Sequence, residues 1–242
     1  MPRNRNRAEE YHRWRQKAMH PKQPLEDCDR WHDCVMEHQG SLFYDPVTGL
    51  HNRIFFNDFL RQIQHYRGPI IIAMADCDNL KSVNDLFGHT LGDKVLLILA
   101  TIFAKIFRAE DTIARWGGDE FACVSTLNHD IKLDRYAIDK RRQLIQATLV
   151  FCRLFQQKTG IADIQFTTFL DRLHSIAPDN LRSIIEEFRN LKIDDTLPVD
   201  DARPIGLSIG FALSPYQLGK EHNLGETFNR ADADMYRHKK AK

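Results

Sequence analysis

The chain has 242 residues, of which 43% are hydrophobic and 28% charged, and a formal net charge of +1. That length holds one large domain, or one ordinary domain with an appendage, and the composition is that of a globular core rather than a disordered chain. A net charge so close to zero excludes a global field directed at nucleic acid or an anionic membrane, and neither is expected as a partner.

Residues 1–24 carry Arg3, Arg5, Arg7, Arg13, Arg15, Lys17 and Lys22 against Glu9 and Glu10. A basic arm of this kind can touch membrane or nucleic acid, but a solvated tail closed by Pro21 and Pro24 is the simpler reading. Across 25–44, the residues Leu25, Cys28, Trp31, Val35 and Leu42 form a stripe of heptad type. It reads either as a stalk pairing with a partner helix or as a helix packed on its own domain. Five cysteines, Cys28, Cys34, Cys77, Cys123 and Cys152, are odd in number and lack a C-x-x-C pair, which suits a reducing cytoplasm. Cys28, His32, Cys34 and His38 offer zinc-ligand types, at a spacing that matches no zinc pattern. No apolar segment follows the basic start as a secretory signal requires. The longest apolar stretch, Val95 to Phe107, is broken by Lys105 and falls short of the about 20 residues of a membrane span. A cytoplasmic protein is therefore expected.

Asp45-Pro46 breaks the stripe, and the next helix is expected over Asn52 to Tyr66, with Ile54, Phe55, Phe59 and Ile63 on one side. The continuous run Ile70 to Ala75 predicts a buried central strand ending in Asp76. A helix follows over Gly92 to Arg108, its inner face formed by Leu96, Leu99, Ala100, Phe103 and Phe107. Thr112 to Arg115 and Phe121 to Thr126 read as strands joined by Trp116-Gly117-Gly118-Asp119-Glu120, a hairpin with glycines at its tip. Residues 136–158 are expected as a helix, 163–170 as a strand and 178–191 as a helix. The acidic stretch Asp194 to Asp201 reads as a loop and Ile205 to Leu213 as a strand. A final helix runs from Leu224 to His238. Strands interleaved with helices predict an α/β or α+β sheet domain.

Two acidic sites stand out. Asp76, with Asp78 two residues on, ends the buried strand, and Asp119-Glu120 follows two glycines in the hairpin turn. Carboxylates beside a glycine turn suit Mg²⁺, which takes hard oxygen ligands and keeps waters and substrate phosphates, while glycine lets a phosphate approach the backbone. Either site alone is equally explained by ordinary turn chemistry.

The two together carry a resemblance. Arg115-Trp116-Gly117-Gly118-Asp119-Glu120-Phe121 contains the signature of the GGDEF family of diguanylate cyclases. Asp45-Pro46-Val47-Thr48-Gly49-Leu50-His51-Asn52-Arg53 resembles its opening D-x-L-T-G-L-x-N-R, with Val47 for the usual Leu. Asp76-Cys77-Asp78-Asn79-Leu80-Lys81, Asn84-Asp85 and Gly88-His89-Thr90-Leu91-Gly92-Asp93 are similar to its D-x-D-x-F-K, N-D and G-H-x-x-G-D blocks. Ser208-Ile209-Gly210 and Ala231-Asp232-Ala233-Asp234-Met235-Tyr236 match its late S-I-G and A-D-x-A-L-Y blocks.

The resemblance implies an α+β fold of palm type, a mostly antiparallel central sheet flanked by helices, with an N-terminal helical extension. Residues 45–242 would be the catalytic domain, enlarged within 125–204, where the connection is longer than the family pattern. The implied reaction condenses two GTP into cyclic di-GMP and two pyrophosphates across a homodimer; a catalytically silent module that binds GTP or cyclic di-GMP is the alternative. Asp76, Asp119 and Glu120 would be catalytic and, with the main-chain carbonyl of Cys77, would hold magnesium (or manganese), two ions per site. Lys81 and Lys239 would meet phosphates, Gly117 and Gly118 would leave them room, and Asn84 and Asp93 would read guanine. For Asp93 a helix N-cap is the plainer role. Arg108 and Asp111 take the R-x-x-D placement of the family's inhibitory site, where cyclic di-GMP docks; a surface ion pair is the plainer reading. Three departures accompany the match: the long 125–204 segment, Asn79-Leu80 in place of an aromatic-containing pair, and an end at Lys242 before the usual closing G-R-N.

Overall fold

The computed structural model describes residues 42–127, 130–161, 165–193 and 205–241. The basic arm, the stripe from Leu25 to Val35 and the Cys28, His32, Cys34 and His38 cluster lie outside the described residues.

In chain order the described elements are β1 (His51–Asn52), α1 (Arg53–Ile63), β2 (Ile70–Cys77), α2 (Leu80–Phe87), α3 (His89–Ile106), β3 (Thr112–Arg115) and β4 (Glu120–Thr126). There follow α4 (Leu133–Thr159), α5 (Phe166–Ser175), α6 (Pro178–Asn190), β5 (Leu207–Ser214) and α7 (Leu224–Lys240). The five strands form one sheet in the order β1-β3-β4-β2-β5. β2 lies antiparallel to both β4 and β5, β3 antiparallel to β4, and β1 parallel to β3. The fold is therefore α+β with a mostly antiparallel sheet.

β2 is apolar throughout because it has a strand on each side and helices on each face. Its side chains alternate between two cores. Ile71, Ala73, Ala75 and Cys77 join the larger core with α3, α4, α5 and α6, while Ile70, Ile72 and Met74 join Phe55, Phe56 and Phe59 of α1 and Met235 of α7. α3 is buried nearly all round, since the sheet covers one side and α4, α5 and α6 the others. That enclosure accounts for its long apolar run. Among the described residues no helix is long and apolar enough to cross a membrane.

One expectation is corrected in this region. Of the strand expected over 163–170, residues 166–170 are helix instead: they open α5, and Phe166, Phe169, Leu170 and Leu173 recur at the helical spacing of three and four. The short helix α2, unassigned in the sequence reading, connects β2 to α3, with Asn79 at φ 61 turning the chain into it and Gly88 at φ 80 turning it out. The enlarged segment is no appendage, because Phe169, Leu170, Leu173, Leu181, Ile184, Ile185 and Phe188 belong to the larger core.

The exposed edge of β5 is closed by side chains. Phe211 N–H donates to Asp234 Oδ2 at 2.9 Å, Ile209 N–H to His238 Nδ1 at 3.1 Å, and Arg141 Nε to the Ile209 carbonyl at 3.2 Å. Capping of this kind denies the edge to another strand. α7 lies so close to β5 that a Cβ on Gly210 would stand 1.9 Å from the Met235 nitrogen and 2.4 Å from the Ala231 carbonyl oxygen. The late S-I-G and A-D blocks thus form one packing contact.

Candidate active site

Asp76 is the next-to-last residue of β2 and Glu120 the first of β4, and the antiparallel register sets them directly opposite each other. Such partners have Cβ atoms within about 5.5 Å on one face. Here it is the face covered by α1 and α7, since Met74 and Ala122 precede and follow them in that core. Neighbouring Cys77 points the other way, so its thiol is committed to the larger core and only its carbonyl could serve a ligand.

The glycine turn is held from several sides. Trp116 and Gly117 N–H groups donate to the Glu120 carbonyl at 2.8 and 3.2 Å, and Cys77 N–H donates to the Asp119 carbonyl at 2.9 Å. Arg115 donates to the Gly118 carbonyl through Nη2 at 2.6 Å and Nε at 3.2 Å. Its Nη1 reaches both Asp45 carboxylate oxygens at 3.1 Å. Asp45 in turn accepts from Thr48 N–H at 2.8 Å and Thr48 Oγ1 at 2.7 Å, so the opening block braces the signature. At Gly117 a Cβ would stand 2.5 Å from Glu120 Oε2 and would displace that carboxylate; at Gly118 the space is open.

The electrostatics call for a cation. Burial raises the pKa of Asp76, the charges of Asp119 and Asp78 add to the rise, and a hydrogen bond and ion pair from Lys239 oppose it. Glu120 is raised by burial and then by Asp119, Asp76 and Asp232, with Arg53 opposing. Lys239 is itself partly desolvated, but Asp76 outweighs that loss and raises its pKa. Among the described residues no group of three His, Cys, Asp or Glu side chains could hold a metal ion by itself. The donors on hand, the Asp76 and Glu120 carboxylates with the Cys77 carbonyl, are hard oxygens that leave positions for phosphate and water. They fit magnesium.

Asn84 and Asp93, expected to read guanine, lie one short helix away. α2 has 8 residues and is about 12 Å long, and it carries Lys81, exposed, and Asn84, half-buried. Asn84 Oδ1 is buried with no hydrogen-bond partner, and a Cβ on Gly92 would meet it at 1.9 Å. Asp93 is exposed and lies beyond the first turn of α3; the N-cap is Gly88, so the capping role for Asp93 is ruled out.

Arg108 and Asp111 do not join this site. Arg108 Nη2 donates to Asp111 Oδ1 at 3.1 Å and to the Thr126 carbonyl at 3.3 Å, at the far end of β4 from Glu120. Seven residues of strand, about 20 Å, separate the two ends. Asp111 is buried and also accepts from the Arg108 N–H at 2.9 Å. The ion pair of the plainer reading is present, but its Asp111 carboxylate is buried rather than on the surface.

Sequence reasoning assigned no role to Arg115, Arg53 or Asp232. Arg115 stands within the signature, Arg53 within the opening block and Asp232 within a late block; that Arg53 lies 4.5 Å over the Trp116 ring and that Asp232 acts on Glu120 arise only in three dimensions.

A mostly antiparallel sheet flanked by helices, with this acidic pair facing across it, defines an α+β domain with a paired-carboxylate site. More narrowly, residues 42–157 match the family described as diguanylate cyclase, GGDEF domain. Diguanylate cyclase DgcP of Pseudomonas aeruginosa is 34% identical over 125 residues, covering 50% of this chain and 17% of its own length. Diguanylate cyclase VdcA of Vibrio cholerae is 27% identical over 147 residues, covering 61% of this chain and 42% of its own. The chain therefore spans less than half the length of these curated relatives. The coiled coil and GGDEF domain of DgcB from Caulobacter crescentus, solved in complex with c-di-GMP, superimposes with a TM-score of 0.53 at 19% identity, over 90% of this chain and 91% of that one. Diguanylate cyclase SiaD from Pseudomonas aeruginosa, solved with its activator SiaC, gives 0.51 at 21% identity, over 98% of this chain and 74% of that one. These likenesses support the fold.

Proposed function

We propose that the chain condenses two GTP molecules into cyclic di-GMP with release of two pyrophosphates. The observation that carries this reading is the pairing of Asp76 with Glu120 across β2 and β4, beside a turn in which Gly118 presents no side chain. Asp76, Glu120 and the Cys77 carbonyl, with Asp119 assisting, would hold magnesium or manganese, two ions per site. The ions, when bound, supply charge neutralisation at the triphosphate and activation of a 3′-hydroxyl. The protein's own contribution is placement. Lys81 and Lys239 would bind phosphate oxygens as point charges, Lys239 from its place beside Asp76. Asn84 and Asp93 read the base: a carboxylate accepts from guanine N1–H and the exocyclic amine, and meets adenine N1 lone pair to lone pair. Each domain holds one GTP, so a homodimer brings two sites face to face and lets one 3′-oxygen attack the other's α-phosphorus in line. Product docking on Arg108, beside Asp111, would provide feedback inhibition; DgcB, of like fold, was solved in complex with c-di-GMP.

A second reading, a silent module that binds GTP or cyclic di-GMP, is favoured by one comparison. Cyclic di-GMP phosphodiesterase NbdA of Pseudomonas aeruginosa matches at 35% identity over 91 residues, so a similar segment occurs in a protein named for another reaction. Incubation with GTP and Mg²⁺ separates the two readings. Pyrophosphate and cyclic di-GMP from the wild type, with none from Glu120→Gln, establishes the cyclase. Tight GTP binding without turnover establishes the receptor.

A further inference from the structure

The second helix of the 125–204 segment, α5, ends on the corner that carries Asn84 and Asp93. Lys94, next to Asp93, donates from Nζ to the carbonyls of Leu173 at 3.1 Å, His174 at 3.3 Å and Ile176 at 3.0 Å. The Leu173 and His174 carbonyls belong to the last turn of α5, where helical bonding leaves acceptors free and the dipole favours a cation. An ammonium has three donors, and here three carbonyls take them. A second contact lies alongside: Phe87, the last residue of α2, meets the His174 ring at 6.3 Å between centroids. Asn84, Phe87, Gly92, Asp93 and Lys94 thus form one corner around the Gly88 turn, and α5 grips it at two points. α6 is fastened to α3 in the same manner, through Lys105, which donates to the Arg189 carbonyl and lies 5.9 Å over the Phe188 ring.

We infer that Lys94 is a positioning residue through which α5 sets nucleotide affinity, so that the enlarged segment is a control element of the base site. This rests on the reading of Asn84 and Asp93 as guanine contacts. Lys94 acts through its neighbour, because its own donors are committed to α5. When α5 is seated, the α2–α3 corner is held and Asn84 and Asp93 stay aimed at one base. When α5 lifts, the corner loosens and the ordering falls to the incoming nucleotide.

The test uses the full chain and Lys94→Met, which keeps the aliphatic stem and removes the charge. Amide hydrogen exchange should quicken in residues 166–176 and 84–93 while the β2 and β4 amides keep wild-type protection. The half-saturating GTP concentration should rise about 2- to 30-fold, with turnover at saturation retained. Lys94→Arg, which keeps a cation against the carbonyls, should recover most of that affinity. Loosened α5 amides with unchanged GTP affinity would overturn the inference, as would unchanged exchange throughout. Should Lys94→Met fail to fold, Phe87→Leu weakens the other contact, and unchanged GTP affinity in that variant counts against the coupling. A wild type that does not bind GTP at all would instead overturn the guanine reading itself, a separate result.

Discussion

Arg115 joins two sequence blocks 70 positions apart: one nitrogen of its guanidinium lies 3.1 Å from each carboxylate oxygen of Asp45, while the rest of the fork holds the Gly118 carbonyl. Both side chains of the pair are largely withdrawn from solvent, at 14% and 15% exposure. Removing one partner leaves the other charge half-buried and unpaired. Arg115→Met should therefore lower stability by about 3 kcal/mol in urea unfolding. Asp45→Asn combined with it should cost much less than the sum of the single changes, since the two side chains act as one unit. Additive losses would show that the pair is not what holds the turn.

Glu120→Gln keeps the shape of the side chain and removes its charge. If the acidic pair anchors the metal, cyclic di-GMP formation should fall at least about 100-fold while the unfolding midpoint stays near that of the wild type. Asp76→Asn should do the same. In the metal-free protein both carboxyls are raised, by burial first and then by Asp119 and Asp78 at Asp76 and by Asp119 and Asp76 at Glu120, so divalent-ion binding should weaken as pH falls through and somewhat above the ordinary carboxylate range. Titration calorimetry at several pH values measures this directly. Affinity independent of pH would count against carboxylate ligation.

Gly210 permits the closest approach of helix to sheet in the domain's late blocks. A methyl group there would lie 1.9 Å from the Met235 backbone nitrogen, and backbone cannot swing aside as a side chain can. Gly210→Ala should cost about 3 kcal/mol. A loss below half that would mean α7 shifts freely on β5, and the test is again urea unfolding.

His51 stacks on Phe55 at 3.7 Å and on Tyr44 at 4.7 Å. Burial lowers its pKa from 6.5 to about 4, against an opposing backbone hydrogen bond at Phe43. As pH falls, the unfolded chain takes up the proton before the folded one does. The contribution of His51 is thus complete above about pH 6.5 and is lost as pH falls toward 4, a total of about 3 kcal/mol. His51→Gln should flatten that part of the stability–pH curve. An acid limb identical to the wild type would exclude His51 as its source.

Much of the site was legible because its parts are local. The hairpin with its glycine tip, the strand ending in Asp76, and the order of the blocks are all properties of short segments, whose periodicity and turn residues report directly on backbone form. Segment 166–170 was misread because Phe166, Phe169 and Leu170 sit in a stretch too short for an apolar run to separate strand from helix. Only the continuation to Leu173, and a place in the core between α3 and α4, decided for the helix.

By itself, the chain's order of residues determined which groups could do chemistry: Asp76, Asp119, Glu120, Lys81, Lys239, Asn84 and Asp93. The tertiary structure decided which of them meet. Ladder register put Glu120 opposite Asp76, 44 positions away, and the same register carried Arg108, close to the glycines in sequence, to the far end of β4. It also set α5 against Lys94. Pairings of this kind depend on loop closure and on the competition of many apolar faces for one core, and neither is encoded in any short window of sequence.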